Sequence, residues 1–203
     1  MRTVLSLEIA TVSRIHPDLE AAYRQACTTI SDIYQHLPTL YRYATRCRHV
    51  TEFGTRTGVS TLALLRALPE RLIAYDLVRH PEVDRLEELA RLQGVDFSFR
   101  QEDTRRADLE PTDFLFIDTY HTHQHLKAEL AVAREKVQQY LIFHDTKTYG
   151  EQGEDGGEGL WPGIAAFLGQ NPSWRLLEHR PANHGLTVLG RRRSEGSGIR
   201  GQE

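Results

Sequence analysis

Val50-Thr51-Glu52-Phe53-Gly54-Thr55-Arg56-Thr57-Gly58-Val59-Ser60 is the stretch on which the fold turns. An apolar run ends on an acid, a Gly-xxx-Gly turn follows, and helix-forming residues come next. A strand reversing tightly into a helix needs glycine for the backbone angles and for the close approach of a ligand. The spacing therefore predicts a nucleoside-type site at the carboxyl end of a strand.

Working outward, short strand-like runs at 49–53, 71–77, 96–100, 113–118 and 139–144 alternate with helical patterns at 58–67, 82–93, 122–137 and 160–169. That alternation predicts an α/β fold: a Rossmann-like, doubly wound, mostly parallel sheet with ligands outside the carboxyl ends of its strands. Trp174–Arg180 and Leu186–Leu189, joined by Pro181-Ala-Asn-His-Gly185, read as a closing antiparallel hairpin, giving seven strands. Residues 1–48 read as an N-terminal helical extension packing on the core. Within it Leu19, Ala22, Tyr23, Ala26 and Ile30 form one helical face, and Leu40, Tyr41 and Ala44 another. His36 reads as a capping or solvent-facing residue. Residues 49–190 form the main domain, and 191–203, rich in Arg, Gly and Ser, read as a disordered tail.

Composition narrows the partners. The chain has 203 residues, 39% hydrophobic and 26% charged, with a formal net charge of -3. That charge gives no broad attraction to nucleic acid or to a membrane surface, and no apolar stretch is long enough to span a bilayer. Two isolated cysteines, Cys27 and Cys47, suit a reducing compartment. The expectation is a cytoplasmic protein acting on a small molecule, with oligomeric state open.

The turn itself discriminates among cofactors. A phosphate-cradling loop would place Lys-Ser/Thr after the second glycine, where Val59 and Ser60 stand. A dinucleotide fingerprint would have a middle glycine where Arg56 stands. Glu52 repels phosphate and suits a cation. S-adenosylmethionine carries an ammonium and a sulfonium and no phosphate. The E-x-G-x-x-x-G form of Glu52–Gly58 resembles the first motif of class I S-adenosylmethionine-dependent methyltransferases. On that reading Glu52, Gly54, Thr55, Gly58 and Ser60 hold the methionine part, and Asp76, some 20 residues past the turn, takes the ribose diol. Asp103 takes the adenine, with its neighbour Glu102 an open alternative.

Two further strands end on acids: Asp113-Phe-Leu-Phe-Ile-Asp118 and Tyr140-Leu-Ile-Phe-His144-Asp145. As neighbours in a parallel sheet they bring Asp118 and Asp145 together above the cofactor, where like charges need a proton or a cation between them. A divalent ion such as Mg²⁺ or Mn²⁺ fits Asp118 and Asp145. Asp118 also reads as cofactor-binding and catalytic, with His121 or His144 as general base. His123 and His125 read as surface residues, His125 sharing a helix face with His121.

The set E-F-G-x-x-x-G-V-S, F-I-D-x-x-H and I-F-H-D-T, followed by a glycine-rich loop and W-P-G-I, resembles small bacterial and phage methyltransferases. These are related to the cephalosporin hydroxylase and macrocin O-methyltransferase group. The resemblance covers roughly residues 30–190 and implies metal-assisted O-methylation in some relatives. Where catechol-type relatives carry Asp-Asn after the fifth strand, this chain has Asp145-Thr146, one oxygen ligand fewer. Two other readings stand: a mononuclear iron oxygenase, and a non-catalytic cofactor-binding protein of the same fold. The acidic loop 149–159 reads either as a lid over the acceptor or as a solvated connection.

Overall fold

The structure, a computed structural model, describes residues 15–192. The tail from 193 onward and the first 14 residues of the N-terminal stretch lie outside the described residues. Seven strands form one sheet: β1 (His49–Phe53), β2 (Arg71–Asp76), β3 (Asp96–Gln101), β4 (Thr112–Ile117), β5 (Val137–His144), β6 (Trp174–Arg180) and β7 (Leu186–Arg191). Their order is β3-β2-β1-β4-β5-β7-β6, parallel except for β7, which runs antiparallel to both β5 and β6. The expected sheet and closing hairpin are therefore both present. Strand order reverses between β1 and β4, which pair directly, so the ligand-binding crevice opens above Phe53 and Ile117.

Among the described residues six α-helices cover the sheet: α1 (Pro17–Thr28), α2 (Leu37–Ala44), α3 (Val59–Arg66), α4 (Glu82–Gln93), α5 (His123–Ala133) and α6 (Leu160–Gln170). Alternate strand residues point to opposite faces and join two separate cores. Val50, Phe114 and Phe116 pack with Leu19, Leu40 and Leu64 from α1, α2 and α3. Phe53, Leu115 and Ile117 pack with Leu126, Leu130 and Ile164 from α5 and α6. Burial on both faces explains why the central strands read as continuous apolar runs.

Three details differ from the sequence reading. Helix α5 stops at Ala133, not 137, because the backbone N–H of Thr112 takes the Lys136 carbonyl to align β4 with β5, which begins at Val137. Ile30 lies beyond the end of α1 and is 85% exposed, so it is not part of that helix's packing face. His36 stands at the N-cap position of α2 but makes no side-chain capping bond, and it is buried, not solvent-facing: its Nε2 lies 2.9 Å from the Ala182 carbonyl, tying the turn before α2 to the β6–β7 turn. No described helix is long and apolar enough to cross a membrane.

Candidate active site

The glycine turn sits at the switch point and is held from below. Glu52, last but one in β1, is 0% exposed. Its carboxylate accepts hydrogen bonds from Ser60 Oγ at 2.5 Å and Thr61 Oγ1 at 2.6 Å, both in the first turn of α3. Burial raises the Glu52 pKa to about 7, against the two hydroxyl hydrogen bonds that lower it. Glu52 thus fastens β1 to α3 beneath the turn, and both its oxygens are engaged. Ser60 is engaged with it but also borders a cavity. Thr55 Oγ1 donates to the Tyr75 carbonyl at 3.3 Å.

Gly54 shows why the turn carries glycine. Its φ is +90°, and an added Cβ would lie 1.9 Å from the Asp118 carbonyl oxygen. Only glycine lets β1 and β4 close at this height. Gly58, φ +80°, opens α3, and a Cβ there would meet Leu86 Cδ1 at 2.4 Å.

Two cavities adjoin at the turn. The larger, about 220 Å³, is bordered by Asp76, Leu77, Glu102, Asp103, Tyr120 and His125. The smaller, about 130 Å³, is bordered by Ser31, Asp32, Thr57 and Ser60. Gly54, Arg56 and Asp118 border both. Asp76 Oδ2 accepts the Arg56 backbone N–H at 2.7 Å, and Oδ1 accepts that of Val78 at 3.2 Å, which aims the carboxylate along the turn. Leu77 and Tyr120 are apolar, exposed and face the larger cavity. Asp103 is chelated by the Arg105 guanidinium, which brings its pKa down to about 2. A third cavity, about 240 Å³, lies between α5 and α6, away from the strand ends.

Beyond Asp118 stands a compact charged cluster. His121 Nε2 is 3.2 Å from Asp118 Oδ1 and 3.0 Å from Asp145 Oδ2. His144 Nδ1 is 3.2 Å and 3.1 Å from the same two oxygens. Each imidazole is braced on its far side: His121 Nδ1 by Glu154 Oε1, and His144 Nε2 by the Asn183 carbonyl at 3.2 Å. Both partners are acceptors, so those far nitrogens carry hydrogen and the near nitrogens face the aspartates. Burial opposes charging either imidazole, but hydrogen bonds to Asp118 and Asp145 outweigh it and lift both pKa values to about 10. In return the imidazoles hold the Asp145 carboxyl well below the usual range, against the burial that raises it.

Asp118, His121 and Asp145 each offer one ligand atom, all within 4.8 Å of one another. This trio fits a divalent cation, and Glu154 behind His121 is the kind of outer partner that orients a metal-bound imidazole. Thr146 is buried and accepts a hydrogen bond from Thr187 Oγ1 at 2.8 Å, so it faces the hairpin.

Loop 149–159 is latched to this cluster. The Glu154 N–H donates to the His121 carbonyl at 3.2 Å, and the Tyr149 ring stacks on His121 with centroids 5.0 Å apart. His121 lies in the turn before α5, so it does not share a helix face with His125, and neither His123 nor His125 is fully exposed. The sequence reading missed Arg56, Leu77, Tyr120, Glu154 and Asn183. Only the acidity of the loop signalled Glu154.

A cleft of this shape at the switch of a 3-2-1-4-5-7-6 sheet defines the class I methyltransferase architecture. Residues 51–146, a little under half of the chain, match the family described as a methyltransferase domain. The fold is similar to that of a Bacillus cereus O-methyltransferase solved with S-adenosylhomocysteine: 18% identity, TM-score 0.59, 90% of this chain and 94% of that one covered. It is also similar to TomG of Streptomyces achromogenes, an O-methyltransferase of tomaymycin synthesis solved with S-adenosylmethionine: 17%, 0.58, 90% and 92%. A third is the 1,6-didemethyltoxoflavin-N1-methyltransferase of Burkholderia thailandensis: 16%, 0.59, 86% and 86%. No curated protein matches the chain significantly by sequence.

Proposed function

We propose that this chain is a class I S-adenosylmethionine-dependent methyltransferase that methylates a hydroxyl oxygen of a small, polar acceptor in the cytoplasm. The observation that carries the reading is Asp118, which borders both cofactor cavities and bonds to His121 and His144. One residue thereby joins a nucleoside cleft to a proton-handling cluster.

S-adenosylmethionine, when bound, supplies a methyl group already activated by a sulfonium, so the protein's task is alignment and proton removal. Asp76 takes the ribose hydroxyls. Leu77 and Tyr120 flank the adenine ring, whose exocyclic amine meets Asp103 or Glu102. Gly54 allows backbone approach to the methionine part, with Glu52, Gly58 and Thr55 fixing the turn from beneath.

His121 is the better proton acceptor. The His144 side chain is fully buried, while that of His121 is 15% exposed beside the loop. With its pKa near 10, the His121 imidazole is protonated at neutral pH and cannot yet act as a base. A second positive charge beside Asp118 and Asp145 releases that proton and leaves Nε2 free. A divalent cation held by Asp118, Asp145 and His121 Nε2 would instead replace that proton and occupy the nitrogen, lowering the pKa of an acceptor hydroxyl directly in place of the imidazole base. A nearby hydroxyl gains from this proton chemistry, which favours O- over N-methylation. The acids Glu151, Glu154, Asp155 and Glu158 on the adjoining loop favour a polyhydroxylated or cationic acceptor. The iron-oxygenase reading is the weaker one, because it leaves the cleft at the glycine turn and Asp76 without a role.

Calorimetric titration tests the reading. S-adenosylmethionine should bind with release of protons, seen as a heat that changes with the ionisation enthalpy of the buffer. Mn²⁺ should bind more tightly as pH rises towards 10, because it competes with the imidazole protons. Product formation across a panel of sugar and phenolic hydroxyls then checks the acceptor class. Proton-neutral cofactor binding would remove the proposed role of His121.

A further inference from the structure

The smaller cavity has an unusual border. Arg56 occupies the position where glycine would be the easier residue, since its φ is +45°. Its guanidinium reaches across to Asp32 in the segment after α1, with Nη1 2.6 Å from Asp32 Oδ2. Both side chains are well exposed, at 66% and 41%. An exposed pair of this kind adds little to stability, so structural need does not account for an arginine there. The pair stands over the 130 Å³ cavity that opens from the nucleoside cleft at Gly54 and Asp118. Among the described residues bordering that cavity, Arg56 is the only cation. Asp32 and Asp118 are the anions, and Asp118 is already committed to two imidazoles.

We propose that Arg56 and Asp32 form an exchangeable clamp for the zwitterionic amino-acid end of the cofactor, Arg56 taking its α-carboxylate and Asp32 its α-ammonium. The proposal rests on the S-adenosylmethionine reading above and adds two residues outside the glycine turn's own carboxylates. In the unliganded protein the two side chains satisfy each other. On binding, each trades its partner for the ligand group of the same charge as that partner. The backbone N–H of Arg56 meanwhile holds Asp76 at 2.7 Å, so one residue links the ribose carboxylate to the clamp. The clamp also selects: a nucleoside without the amino-acid end gains nothing from it, and a ligand with pyrophosphate there meets two carboxylates.

The test compares ligands that differ only at that end. Wild type, Arg56→Gln and Asp32→Asn are titrated with S-adenosylmethionine, S-adenosylhomocysteine and 5′-methylthioadenosine, which has no amino-acid moiety. Melting curves confirm that each variant folds. Both variants should lose about tenfold or more in affinity for the first two ligands, and within about twofold for methylthioadenosine. Arg56→Lys, which keeps the charge without the fork, should fall between and also serves if Arg56→Gln folds poorly. Equal losses for all three ligands would assign Arg56 to shaping the turn and overturn the clamp, as would unchanged binding of S-adenosylmethionine. Wild-type protein that bound none of the three would instead overturn the cofactor reading itself.

Discussion

At the ends of β1 and β2 the cleft is walled by backbone, whereas at the ends of β4 and β5 it is walled by ionisable side chains. On the first side Gly54, φ +90°, presses against the Asp118 carbonyl, and the one buried acid, Glu52, lies beneath the turn bonded to hydroxyls. On the second side Asp118, Asp145, His121 and His144 share hydrogen bonds of 3.0 to 3.2 Å. A backbone wall binds by shape and tolerates little change in it. A charged wall stores protons and can exchange them for another cation. The first side suits a cofactor of fixed form, the second an acceptor that must lose a proton.

The largest expected effect breaks both sides together. Gly54→Ala places a methyl group where the Asp118 carbonyl already is and strains a left-handed backbone. Destabilisation of about 3 kcal/mol or more should result, with loss of S-adenosylmethionine binding. An unchanged melting temperature with normal binding would show that the strands separate more easily than this geometry allows. Next comes a change confined to the charged side. Asp145 has φ +58°, a conformation asparagine also tolerates, so Asp145→Asn should fold. It should lower kcat by roughly 10²–10⁴ while leaving cofactor affinity within a few fold. Wild-type turnover in that variant would remove the cluster from the mechanism. On the backbone side, Asp76→Asn should weaken S-adenosylmethionine binding by roughly 10- to 100-fold through the lost charged hydrogen bond. Its kcat at saturation should stay near wild type. A kcat loss as large as that of Asp145→Asn would mean that the two sides are not functionally separate.

The same contrast explains what the sequence made legible. Strand alternation, the glycine turn, the closing hairpin and the strand-end acids Asp76, Asp118 and Asp145 all follow from local pattern, because each is set by neighbours within a few residues. The bracing of the histidines does not. Glu154 reaches His121 from a loop 33 residues away, and Asn183 meets His144 from the β6–β7 turn, 39 residues away. No periodicity encodes such meetings; the first needs β4 and β5 side by side, and the second needs β5 paired with β7. Glu52 was legible as a residue but not in direction. The alternation of β1 turns it toward α3, where Ser60 and Thr61 complete its hydrogen bonds, so it supports the turn from below.

Glu52→Gln gives the smallest expected effect on binding and sharpens that last distinction. The folded-state pKa of Glu52 is about 7 against 4.5 for an ordinary glutamate, so the folded protein holds this proton more tightly than the unfolded chain. The stability linked to that proton is fully present below pH 4.5 and is lost as pH rises through about 7. The loss amounts to at most about 3 kcal/mol for a shift of this size. Glutamine is neutral throughout and can still accept from one hydroxyl and donate to the other. Relative to wild type, the variant should therefore gain melting temperature steadily between pH 5 and pH 8. Cofactor affinity should stay within a few fold, because both Glu52 oxygens are already bonded to Ser60 and Thr61. A melting difference independent of pH would mean that Glu52 keeps one charge state across the window. A large loss of S-adenosylmethionine affinity would place this carboxylate in contact with the methionine part after all, on the same footing as Asp76.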